Sequence, residues 1–144
     1  MADPIVPAKV PCPTCPYRCD VPSGVWAPSE YERLPAYDGP TWAQPMAVFF
    51  CHQANGCVCS GWASVHGDEE NMALRVALVS QTMTEADVDA VIGYVSPVPL
   101  FASGAEAAAH GMQEIDAPGR AALDAMAKME RKRARRGSEK VSAD

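Results

Sequence analysis

The sequence predicts a small, irregular α+β domain stapled by a metal: a proline-rich N-terminal wrap, one β-hairpin, then three or four helices. Three observations point there. Ten of the thirteen prolines fall in residues 1–45, an Asn55-Gly56 pair separates two apolar runs, and helix-capping signals recur from residue 68 onward. A chain of 144 residues favours one domain. We place that domain at residues 1–129 and treat residues 130–144 as a basic helix end or tail. With 48% hydrophobic and 21% charged residues, the composition is that of a globular protein.

Proline fixes φ and removes an amide donor, so the wrap holds no long helix or central strand. One short helix is expected from Pro28, a good first helical residue, to Leu34, where Pro35 stops it. Trp26, Tyr31, Leu34, Tyr37 and Trp42 are its expected anchors. Residues 46–52 form the strand candidate, Asn55-Gly56 the turn and Cys57-Val58-Cys59 the return. A two-residue loop would pair Cys51 with Ser60 and set Cys51 and Cys59 on opposite faces. A three-residue loop would pair Cys51 with Cys59, their Cβ atoms about 4.5–5.5 Å apart. Both registers stay open.

The remainder reads as helices. Asp68 is the expected cap of a mostly buried helix reaching about Gln81, since only Asn71 and Arg75 are polar within residues 71–79. Thr84 and Asp87 resemble a capping box, with Met83 and Val88 at staple positions and Gly93 at the end. Prolines 97 and 99 keep residues 96–101 extended. Ser103 and Glu106 box a short alanine-rich helix closed by Gly111. The last helix starts near Asp116-Ala117-Pro118, with an apolar stripe of Ala122, Leu123, Met126 and Met129.

The six cysteines read C-x2-C-x3-C (Cys12, Cys15, Cys19), a gap of 31, then C-x5-C-x-C (Cys51, Cys57, Cys59). Two clusters joined by a long loop suit a four-ligand site, each cluster supplying part of a tetrahedron. Cys12, Cys15, Cys51 and Cys59 are the expected ligands, with Cys57, His52 and His66 within reach of the second pair. Zn2+ is the expected ion and an iron–sulfur cluster the alternative. Disulfides and simple buried thiols remain the other readings. Pro11-Cys12-Pro13-Thr14-Cys15 also matches the P-C-x-x-C half of zinc deaminases, but no H-x-E accompanies it, and that half alone supplies too few ligands and no proton shuttle.

The bland alternatives weigh heavily elsewhere. His52 reads as a polar strand residue, His66 as a surface loop residue, and Glu106 with His110 as a solvated i, i+4 pair. Asp68-Glu69-Glu70 suits the first turn of a helix dipole, and the tryptophans suit anchoring of the wrap. Charge is asymmetric: residues 1–127 hold five Lys/Arg and fifteen Asp/Glu (−10), and residues 128–144 hold seven and three (+4). The body should repel nucleic acid. Arg131, Lys132, Arg133, Arg135 and Arg136 form a run that either attracts nucleic acid or an acidic protein surface, or is a solvated helix end. No apolar run approaches the ~20 residues of a membrane span, and the first residues lack a basic-then-apolar leader. A cytoplasmic location is therefore expected.

The stretches Cys12-Pro-Thr-Cys-Pro-Tyr-Arg18, Gly24-Val-Trp26, Phe49-Phe-Cys-His52, Cys59-Ser-Gly-Trp62, Pro99-Leu-Phe-Ala-Ser-Gly104 and Ala107-Ala-Ala-His-Gly111 resemble an uncharacterised family of small proteins from actinobacteria and their phages. The resemblance spans roughly residues 11–115. It implies such a source, a family pattern that includes Cys12, Cys15, Cys51 and Cys59, and additions at Cys19 and Cys57. No activity follows from it. The expected function is a binding or regulatory module around structural zinc. The alternative is an iron–sulfur or open-site metal enzyme or redox protein, and an enzymatic role is the less favoured. The small-molecule ligand, if any, is not readable.

Overall fold

The computed structural model describes residues 3–51 and 56–142, with side chains to residue 137. Six α-helices follow in order: α1 Pro28–Glu32, α2 Ser60–His66, α3 Met72–Val79, α4 Glu85–Ile92, α5 Gly104–Met112 and α6 Arg120–Ser142. Two 3-10 turns, Leu34–Asp38 and Thr41–Ala43, follow α1. Among the described residues there is no strand and no sheet, only three isolated bridges: Pro7 with Val58, Arg18 with Leu100, and Phe50 with Val58. The expected metal-stapled α+β domain with a β-hairpin is therefore corrected to a helical fold with an irregular wrap. His52 and Asn55 lie outside the described residues.

The strand candidate pairs with its return segment only around one bridge, because Val58 is shared with the N-terminal segment. Only Phe50 bridges Val58, and the flanking bonds are Cys51 N–H to Cys57 O (2.9 Å) and Cys59 N–H to Phe49 O (2.8 Å). Val58 then gives its own N–H to Val6 O (3.2 Å). The register puts Cys51 opposite Cys57, so neither expected pairing occurs. Immediately after, Cys59 turns the chain into α2, a helix the sequence reading missed.

Capping chemistry sets the later helices. Asn71, not Asp68, caps α3 by accepting Leu74 N–H (3.0 Å), and its amide also donates to His66 O (3.0 Å). Asp68 instead closes a turn through Glu70 N–H (2.9 Å). The helix α3 is less buried than expected, with Val79 86% exposed, and Gln81 at φ 61° ends its run. Thr84 and Asp87 form both arms of the capping box, and the Asp87 carboxylate reaches on to Ile5 N–H (3.3 Å). The shorter acid thus ties the N-terminal segment to α4. Ser103 caps α5. Asp38 adds two bonds to the same helix end, from Gly104 N–H (2.7 Å) and Ala105 N–H (2.8 Å), where a carboxylate suits the dipole.

Gly111 does not close α5. It lies within the helix, and a Cβ there would run into the Tyr31 ring, so the bare backbone lets α1 seat that ring. Trp26, Tyr31, Leu34 and Tyr37 are buried as anchors; Trp42 is 82% exposed and anchors nothing. The core gathers Tyr17, Tyr37, Phe49, Trp62 and His66, with edge-to-face contacts such as Tyr37–Trp62 at 5.5 Å. Such pairs add about 0.5–1.5 kcal/mol each beyond their buried area. The last helix begins at Arg120, two residues beyond Pro118, and keeps Ala122 and Met129 buried while Leu123 is half exposed.

Candidate metal centre

Two successive turns build the first half of the site. Cys15 N–H bonds Cys12 O (3.0 Å) and Arg18 N–H bonds Cys15 O (3.1 Å). Pro13 and Pro16 occupy the second position of each, where the fixed φ of proline fits. Long-range bonds then fix the turns. Arg18 grips Pro11 O (2.8 Å) and makes a forked pair with Asp20 (2.8 and 2.7 Å). Trp26 Nε1 donates to Thr14 O (2.7 Å), and Phe101 N–H to Tyr17 O (2.8 Å).

The second half comes from the bridge at Phe50 and the start of α2. With Phe50 opposite Val58, the side chains of Cys51 and Cys59 share one face diagonally. Cys59 then stands at the N-cap of α2. Two residues on, Gly61 makes room for the first half: a Cβ there would be 2.5 Å from Cys15 Sγ and 2.8 Å from Tyr17 Cβ.

Folding brings the sulfurs together. Cys15 Sγ and Cys59 Sγ are 3.9 Å apart and buried, and the Cys12 thiol interacts with those of both Cys15 and Cys51. Contact therefore runs Cys51–Cys12–Cys15–Cys59. All six cysteines are free thiols, and 3.9 Å is far beyond the ~2.05 Å of a disulfide. Two thiolates on a tetrahedral zinc, each at ~2.3 Å, stand roughly 3.8 Å apart. No three of the described His, Cys, Asp or Glu side chains form a finished metal cage. The arrangement is a chain of pairwise contacts, not a closed coordination sphere.

Crowding raises the pKa of the Cys12 and Cys15 thiols. Hydrogen bonding with Cys15 is the first cause that raises Cys12 above its usual 9.0, with Cys51 pulling the other way and burial adding to the rise. At Cys15 the Cys12 contact pulls downward, but Cys59 and burial outweigh it and the net shift is strongly upward. A divalent cation would reverse this balance, because coordination removes the thiol proton.

Cys19 is exposed and Cys57 half-buried, each outside that chain of contacts. His66 is not a surface loop residue. It is buried, and its Nε2 lies 2.9 Å from the Tyr17 hydroxyl, two residues beyond Cys15. Burial lowers its pKa, against the opposing pull of Asp38 and Asp68. His110 is not part of a solvated pair either: its Nε2 meets Val21 O at 2.7 Å, and Glu106 accepts Ala102 N–H (3.1 Å). The acidic run Asp68-Glu69-Glu70 precedes α3 and supplies turn and side-chain bonds to Thr41 and Arg75. Gly61 and Tyr17 were missed as site residues. The Cys59-Ser-Gly-Trp62 string carries the only sequence signal for the glycine.

At the far end, α6 runs unbroken through residue 129. Arg131, Lys132, Arg133 and Arg135 are exposed and Arg136 is half-buried. Beside the cysteine turn, Pro13 and Thr14 face Asp124, Lys128, Arg131 and Lys132 across a groove of about 510 Å³.

The model of a family of unknown function, DUF6283, matches residues 7–133, and the chain belongs to that family. No curated protein and no solved structure matches it. No helix among the described residues is long and apolar enough to cross a membrane.

Proposed function

We propose that Cys12, Cys15, Cys51 and Cys59 bind one Zn2+ and that the chain is a small cytoplasmic binding or regulatory module, with an iron–sulfur or open-site metal enzyme or redox protein as the alternative. The 3.9 Å approach of Cys15 Sγ to Cys59 Sγ carries this reading, because it is the edge length of a one-ion thiolate tetrahedron. Thiolates on different irons of an iron–sulfur core stand farther apart, whereas two on one iron approach as closely as on zinc, so metal analysis separates the two. The ion would join two segments without helix, the Cys12–Cys15 turn and Cys51, to the N-cap of α2. The basic end of α6 would then be the surface offered to a nucleic acid or an acidic protein. The phage or actinobacterial source belongs to the same reading and rests on the sequence resemblance.

Metal analysis of protein purified without oxygen tests it. The expected result is a colourless protein with one zinc per chain, absent from the Cys12→Ser/Cys15→Ser variant; stripping the zinc from the wild type with chelator should bring proton uptake as the thiolates are freed. A metal-free wild type that is equally stable with and without chelator would overturn the reading. A brown protein with iron and sulfide would replace it with the iron–sulfur alternative.

A further inference from the structure

We propose that the exposed end of α6 enters the major groove of duplex DNA, with one phosphate backbone seated between α6 and the Cys12–Cys15 turn. This deepens the binding-module reading and rests on it for the turn.

Three observations converge. At about 100° per residue, Lys128, Arg131, Lys132 and Arg135 share one face, and Arg133 stands well around the helix. The cations therefore cover more than half its circumference. Residues 130–135 are all exposed, so most of the helix circumference there is open to solvent. A helix is ~10–12 Å across and the B-form major groove ~12 Å wide, so such a rod meets phosphates on both walls. The face that bears Lys128, Arg131 and Lys132, with Asp124 one turn back, also lines the groove beside Pro13 and Thr14, which places a second wall, with three cations against one carboxylate, where a backbone would pass.

Charge selects the partner. Residues 1–127 carry −10, so the body repels a polyanion and only α6 attracts it. Arginine supplies most of the run, and its fork matches phosphate oxygens in pairs. An acidic peptide would use the same charges but would need apolar anchors for specificity, and residues 130–136 offer no apolar side chain larger than alanine.

Fluorescence anisotropy of the full chain with a labelled DNA duplex, across a salt series, tests the proposal. The slope of log K against log salt should fall by about one per cation removed in Arg131→Gln and Arg131→Gln/Lys132→Gln. Arg75→Gln on α3 should leave it unchanged. Duplex RNA, whose major groove is deep and narrow, should bind about tenfold more weakly. An unchanged slope in the double variant would overturn the proposal. So would a changed slope for Arg75→Gln, or equal binding of duplex RNA or polyglutamate. Zinc content of the same samples keeps the two readings apart. No DNA binding by the zinc-loaded chain overturns the DNA contact alone; cation-dependent binding by a chain that takes no zinc overturns the metal alone.

Discussion

The Cys12–Cys15 turn and the end of α6 are held in opposite ways. The turn has no helix, yet its shape is set by bonds from Arg18, Trp26 and the residue 99–101 segment, most of them remote in sequence. The helix end satisfies its backbone locally, and beyond Met129 none of its described side chains is buried. One region is positioned by the rest of the molecule, the other by its own backbone. Chemistry that needs sulfur atoms at fixed separations belongs to the first. Contacts that need only charge on a rod belong to the second, because salt-sensitive phosphate binding tolerates imprecise placement.

The contrast breaks most directly at Gly61. Gly61→Ala puts a methyl into the space of Cys15 Sγ and the Tyr17 ring stem. Overpacking of this kind costs about 1–3 kcal/mol. The expected outcome is a lower unfolding midpoint in urea together with loss of bound zinc; an unchanged midpoint would show that the turn is free to move.

Acid should come next. Burial lowers His66 in the folded chain, so the unfolded chain binds its proton first. Its contribution is complete above the usual value of 6.5, declines as pH falls below it, and levels off once the folded-state pKa is passed. Urea melts across that range should show the decline in the wild type and lose it in His66→Gln. A His66→Gln profile as steep as wild type would move the cause to another group.

The smallest effect belongs to the helix end. Arg133→Ala should change stability by no more than about 0.5 kcal/mol, as for an exposed position with no special contact, while lowering the DNA salt slope. A large loss of stability would mean that this end packs against something, and the contrast with the turn would fail.

Some of this was legible in the residues alone. The box of Thr84 and Asp87, the start of α1 at Pro28 and the cap at Ser103 depend on atoms a few positions apart, and so does the cationic run. The spacing of Cys12 and Cys15 around Pro13 likewise determines a turn by short-range sterics. The hairpin was misread because Val58 divides its bonds between two segments, a choice made by Val6 about fifty residues earlier. Trp42 and Tyr37 look alike as anchors in sequence, and only packing separates the exposed ring from the buried one. Which thiols meet was likewise decided in three dimensions, since the approach of Cys15 to Cys59 depends on a missing side chain at Gly61. Local sterics and hydrogen bonding are written in neighbouring residues; the volume left for a sulfur atom is defined only once distant segments have packed.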